Sequence, residues 1–251
     1  MRLTTLVEAR TWYVKSDLSF WSFTQELERF AAKMKDVIAR RDRGAEATKF
    51  ADLLLQAIEL WKAGCIEEQT GWAVQNQPEE IWDAFRDAIA FMDAGDDIKA
   101  LLAIMRLKGF GKTKDAESRQ QRAKRASAVL RMFRPRDWGV VDWRTAAMIL
   151  ALNQKNWDVR QAISFVKADY PTSRKAKNEW DEIDEKIAAE VLNARYRANR
   201  AISLPDAADI EMGVFGLSFE VWAVNTKIRA TVRETYGKAL RSKLKALDGQ
   251  L

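Results

Sequence analysis

Apolar residues recur along this chain at three- and four-residue steps, the spacing of a helix with one buried face. Phe20, Phe23, Leu27, Phe30, Met34, Val37 and Ile38 predict a first amphipathic helix running to about Arg43, before Gly44. Phe50, Leu53, Leu54, Ala57, Ile58 and Trp61 predict a second, stopped by Gly64. Pro78 opens a third that carries Ile81, Trp82, Phe85, Ile89 and Met92, and Gly95 closes it. Asp97 is the expected cap of a fourth, with Ile98, Leu101, Leu102 and Met105 on its inner face. Segments around 143–153, 157–168, 175–199, 206–235 and 238–247 repeat the pattern. The prolines, Pro78, Pro135, Pro171 and Pro205, fall at the joints between segments, and period-two runs of Val, Ile and Thr are absent. The expectation is an all-α protein of about ten helices, a single helical domain over 1–251.

Composition narrows the chemistry more than the fold. The 251 residues include no His and one Cys, Cys65. That removes a Ser-His-Asp triad, a Cys-His dyad, an internal disulfide and cysteine- or histidine-ligated metal sites. Chemistry is left to carboxylates, lysines, hydroxyls and backbone amides. No apolar run approaches the roughly 18 residues of a membrane span, and the first residues lack a signal-peptide core, so a soluble, cytoplasmic protein is expected.

Charge is concentrated in one window. Between Arg106 and Arg144 lie twelve basic residues, opposed only by Asp115, Glu117, Asp137 and Asp142, so this window carries +8 of a whole-chain +6 and the remainder is −2. Such a concentration points to phosphate contact. Inside it, Leu107-Lys108-Gly109-Phe110-Gly111 separates two helical segments, the second from Ala123 to Phe133 with Ala126, Val129, Leu130 and Phe133 inward. Glycines permit positive φ, and amide N–H groups at the start of a following helix attract phosphate. An ordinary glycine-capped turn between helices satisfies the same residues. Pro135 follows, then Val140-Val141-Asp142-Trp143-Arg144, where Asp142 is placed to cap the next helix.

Taken together, Leu-x-Gly-x-Gly, a basic helix, Pro135 and Val-Val-Asp-x-Arg resemble the helix-hairpin-helix DNA glycosylase superfamily over roughly residues 97–152. Lys108 stands where that family has proline and Phe110 where it has a small aliphatic residue. Lys112 to Arg122 reads as an insertion, as in the extended hairpin of archaeal 8-oxoguanine glycosylases. The resemblance implies a hairpin module between N-terminal and C-terminal helical lobes around a cleft. It implies base flipping on double-stranded DNA and cleavage of an N-glycosidic bond, in repair or in anti-phage defence. The family aspartate maps onto Asp142, whose carboxylate would stabilise an oxocarbenium-like sugar.

Lyase-competent members add a lysine that forms a Schiff base. Counting back from Asp142 selects Lys124; counting forward from Gly111 falls between Lys112 and Lys114. Helical register with Asp142 favours Lys124, and each of these lysines equally suits phosphate. Gly109, Phe110, Gly111, Lys112, Lys114, Arg122, Arg125 and Arg144 are the DNA-binding candidates. Trp138 and Trp143 flank Asp142 and are candidates to wall a base pocket or wedge the duplex. Arg131, Arg134 and Arg136 read as DNA-facing or solvated. No metal or organic cofactor is implied beyond a monovalent cation at the hairpin, and a monomer is expected. A non-catalytic helix-hairpin-helix DNA-binding protein is the alternative.

Overall fold

A computed structural model describes residues 3–16, 18–40, 43–63, 73, 75–110, 122–180, 187–222 and 238–250. Its helices are α1 (Leu6–Ser16), α2 (Leu18–Ala39), α3 (Ala45–Ala63), α4 (Pro78–Asp93), α5 (Asp97–Met105), α6 (Arg122–Phe133), α7 (Trp143–Gln154), α8 (Val159–Asp169) and α9 (Ser173–Trp180). A π-helical stretch (Ile187–Asn193) leads into α10 (Ala194–Ala198), then α11 (Ala207–Val221) and a last helix, α12, over 238–248. Among the described residues the only β-type pairing is a single bridge between Ala201 and Leu204. The all-α expectation is met. Among them, too, no helix is long and apolar enough to cross a membrane.

Local chemistry sets the helix ends. Pro78 supplies a fixed φ at the first position of α4, and Glu80 Oε2 reaches back to accept the Gln77 N–H at 2.8 Å. Gly95, at φ +73°, turns the chain out of α4 in a conformation few other residues adopt. The cap of α5 is Asp96 rather than Asp97: its carboxylate accepts the Lys99 N–H at 3.0 Å, while Asp97 already lies inside the first turn. Gly64 and the part of 206–235 beyond Trp222 lie outside the described residues.

Helix α2 packs on α3, α3 on α4 and α4 on α5, while α6 touches α2, α3 and α5. Helices α8 and α9 pack on α7, and α11 lies against α7, α8 and α10. One connected apolar core runs through all of these, from Leu3 to Leu247. Helix α6 sits centrally, with Ala126 to Phe133 buried without a break.

Helix α1 is an element the apolar spacing did not predict, and it joins the C-terminal half by packing on α11. Small residues let the two backbones approach. A Cβ at Gly213 would lie 2.9 Å from the Leu6 carbonyl oxygen, and one at Gly216 would lie 2.6 Å from that of Ala9. Backbone atoms cannot swing aside, so Gly216→Ala must displace α1. We expect a loss of about 1–3 kcal/mol and a Tm lower by roughly 2–10 °C, checked by thermal melts. An unchanged Tm would show that α1 is not held there.

Candidate active site

Asp142 has extended backbone (φ −139°, ψ 174°) and caps α7. Its Oδ1 accepts the Arg144 and Thr145 N–H groups at 3.0 and 3.2 Å, while Thr145 Oγ1 accepts the Asp142 N–H at 2.9 Å. The preceding strand-like residues are anchored from two sides. Ser127 Oγ on α6 accepts the Val141 N–H at 3.0 Å, and the Tyr196 hydroxyl on α10 donates to the Val140 carbonyl at 3.2 Å. Gly139 is required by the same packing: a Cβ there would meet Glu211 Cβ at 2.7 Å and the Tyr196 ring at 2.8 Å. The carboxylate position is therefore fixed by four helices.

With Oδ1 committed to the cap, Oδ2 faces Lys62 from the last turn of α3, whose Nζ lies 3.7 Å away. The two side chains are only 14% and 10% exposed. Burial alone pushes the Asp142 carboxyl up, but the charges of Lys62 and Lys124, the Thr145 N–H and Arg144 together hold it below its ordinary value. Burial pulls the Lys62 ammonium down, Asp142 lifts it and the neighbouring Lys124 charge lowers it, leaving it at about 8.

Behind this pair lies a second buried charge group. Arg131 on α6 is 1% exposed, with Nη1 2.5 Å from Glu28 Oε1 on α2 and Nε 4.0 Å from Glu211 Oε2 on α11. Its guanidinium also lies 5.5 Å from the Trp61 ring centroid. Burial raises the Glu211 carboxyl to about 7, against the pull of Arg131 and Lys62, with Asp142 raising it further. Tyr196 is held well above its ordinary range by burial and by the charges of Glu211 and Asp142. Carboxylates, an amine and a phenol with displaced proton affinities in one place are the pattern of a chemical site.

No protein-family model matches the chain. Curated proteins and solved structures give no match either.

The residues predicted from sequence divide into three groups. Asp142 and Lys124 are brought together: the Lys124 charge acts on both Asp142 and Lys62, and Lys124 is half-buried on α6. Trp143 is half-buried, tilted at 60° against Trp222 with 5.1 Å between centroids. Gly109 has φ +83°, the left-handed turn that the hairpin reading requires.

Other assignments are corrected. Trp138 is 1% exposed and is core, not a pocket wall or wedge. Phe110 is fully buried, and its N–H donates to the Leu107 carbonyl at 3.1 Å, so neither ring nor amide is presented to a phosphate. Asn76 clamps Lys108, accepting its N–H at 2.9 Å and donating to its carbonyl at 3.1 Å. Arg125 Nη1 donates to the Gly109 carbonyl at 2.5 Å, so its guanidinium is turned onto the backbone of this turn. Arg144 lies over Trp143, Phe215 and Phe219, at 4.9, 5.8 and 5.6 Å, a cage of rings rather than an outward reach. Arg131 faces Glu28 inside the core, and Arg134 pairs with Asp93. Arg136 remains exposed. Gly111, Lys112 and Lys114 lie outside the described residues, and Arg122 is the first residue of α6.

A cavity of about 390 Å³ borders the described part of the hairpin at Asn76, Leu107 and Lys108. Glu80, Asp83 and Asp87 line it beside Arg86 and Arg106, and this mixed charge does not suit a phosphate. Among the described residues no group of three or more Cys, Asp or Glu is gathered to hold a metal.

The residues that sequence reading missed are Lys62 and Glu211. Lys62 follows Trp61 at the polar end of an apolar stripe, and Glu211 follows the acids Asp206 and Asp209, so both read as ordinary helix-end charges. Glu211 carries a pH signature. Its proton affinity is higher in the folded chain than its ordinary 4.5, so the protonated form favours folding fully below about 4.5 and that contribution is lost as pH rises through 7. Glu211→Gln keeps the shape without ionising. It is expected to be more stable than wild type by roughly 1–3 kcal/mol at pH 8 and level with it at pH 4.5, as read from urea melts across that range. Parallel pH curves for the two proteins would refute the assignment.

Proposed function

We propose that this protein is a DNA N-glycosylase that flips a damaged or modified base from the duplex and cleaves its glycosidic bond, with Asp142 as the carboxylate that stabilises the oxocarbenium-like sugar. The observation that carries the reading is Asp142 itself: a buried carboxylate kept ionised, aimed by two helix-terminal amides, with its second oxygen turned to a lysine. Developing positive charge at C1′ needs a fixed anion in a poorly solvated place, where it acts far more strongly than in water. The positive-φ Gly109 turn between α5 and α6, followed by Pro135 and the Asp142 cap, supports a helix-hairpin-helix glycosylase architecture in the order the sequence pattern implies. In this reading Trp143 is the stacking surface for a base. Within the basic window, Lys108 and Arg136 are exposed and suit phosphate contact.

The test is incubation of the protein with a panel of duplexes carrying oxidised, alkylated and bulky phage-type bases, scoring free base. Release of one class supports the reading, and release of none with duplex binding intact favours a non-catalytic DNA-binding protein. That second reading draws on the internal engagement of Asp142 Oδ1, which a purely structural cap also explains. Binding that weakens steeply with salt separates both from a protein without a nucleic-acid partner.

A further inference from the structure

We infer that Lys62, on α3 and outside the hairpin, is the amine nucleophile of the reaction proposed above, attacking C1′ with Asp142 as its charge partner. The inference rests on the glycosylase reading and replaces Lys124 in the role that sequence counting gave it.

Geometry makes the case. Lys62 Nζ lies 3.7 Å from Asp142 Oδ2, beyond a strong hydrogen bond, so the pair is held by charge and the amine is not locked onto the oxygen. Each side chain keeps a small exposed edge, 14% and 10%. An ion pair built for stability gains little from burial and works best at close, well-bonded contact. Here the carboxylate's other oxygen is already committed to the cap, and a second cation, Lys124, acts on the same amine. Desolvation and a neighbouring cation are the two conditions that free a lysine's lone pair. With Lys62 at about 8, roughly a tenth of it is neutral at pH 7. Lys124 then becomes a positioning residue that acts through Lys62.

The chemistry balances without a co-reactant other than water. The neutral Lys62 nitrogen forms a bond to C1′ while the C1′–base bond breaks, its electron pair leaving with the base. The proton released from nitrogen passes through Asp142 to the departing base. The nitrogen lone pair then opens the C1′–O4′ bond, O4′ takes a proton from solvent, and a protonated Schiff base remains. Water hydrolyses it to the sugar aldehyde and returns the lysine.

The experiment uses the full chain with the duplex panel above and with a duplex carrying one abasic site, in sodium borohydride, which reduces the imine to a stable amine. Peptide mass mapping locates the adduct. We expect it on Lys62, to persist in Lys124→Ala, and to fall at least tenfold in Lys62→Arg, which keeps the charge beside Asp142. An adduct on any other residue of the wild-type protein overturns the inference, and so does one that persists undiminished in Lys62→Arg. The wild-type map decides this even if a variant fails to fold. Base release without any adduct assigns attack to water and sinks Lys62 while leaving the glycosylase reading intact. Neither base release nor adduct with any duplex sinks both.

Discussion

Asp142→Asn is expected to lower base release by about 10²–10³-fold while duplex binding changes only a few-fold. Asparagine keeps an oxygen where Oδ1 stands, so the Arg144 and Thr145 N–H groups retain their acceptor and α7 retains its cap. What disappears is the negative charge facing Lys62, which in the proposed reaction also faces the sugar. Two effects then act together. The developing cation at C1′ loses its stabilising anion, and Lys62, which Asp142 lifts, drops below 8 and sheds its proton more readily. The second effect limits the stability loss, because an amine that can deprotonate is not stranded as a buried charge. Asp142→Ala is a poorer test, since it also removes the cap at about 1 kcal/mol. Single-turnover base release and equilibrium duplex binding, measured side by side, decide the matter. Excision unchanged in Asp142→Asn would remove the aspartate from the chemistry.

Much of the scaffold was legible from spacing alone. The Pro78-to-Gly95 segment, the turn at Gly109 and the cap at Asp142 rest on local rules: fixed φ in proline, positive φ in glycine, a short acid ahead of an apolar run. Helix α1 escaped because its decisive partner is remote. Leu6 and Ala9 matter through Gly213 and Gly216, two small residues that the chain places some two hundred positions later. The site was legible only at Asp142. Lys62 and Glu211 come from helices far from Asp142 along the chain, and each alone resembles a solvated helix-end charge.

Charge counting failed for a related reason. A +8 window was read as a phosphate-facing surface, yet Arg106, Arg131 and Arg134 are turned to Asp87, Glu28 and Asp93 from other helices. Net charge records sign, not direction, and the Ala126–Phe133 part of α6 is buried on every side, so Arg131 must find its partners inside.

That central arginine sets the largest expected effect on stability. Arg131→Met is expected to destabilise the fold by about 3–5 kcal/mol, a Tm lower by roughly 6–20 °C. Methionine fills much of the volume beside Trp61, so the loss is electrostatic: buried Glu211 and part-buried Glu28 lose their cation. Arg131 is the strongest influence holding Glu211 down against burial, so removing it drives that carboxyl above 7. The penalty should therefore grow with pH, from modest near pH 5, where Glu211 is protonated in either protein, to full by pH 8. Charge as the cause also predicts rescue. Adding Glu28→Gln and Glu211→Gln to Arg131→Met removes the stranded anions, and a neutral group of similar shape is often as stable as the ion cluster it replaces. Urea melts of the single and triple variants at pH 5 and pH 8 supply the comparison. A triple variant no more stable than Arg131→Met at pH 8 would place the contribution of Arg131 in its packing over Trp61 instead of its charge.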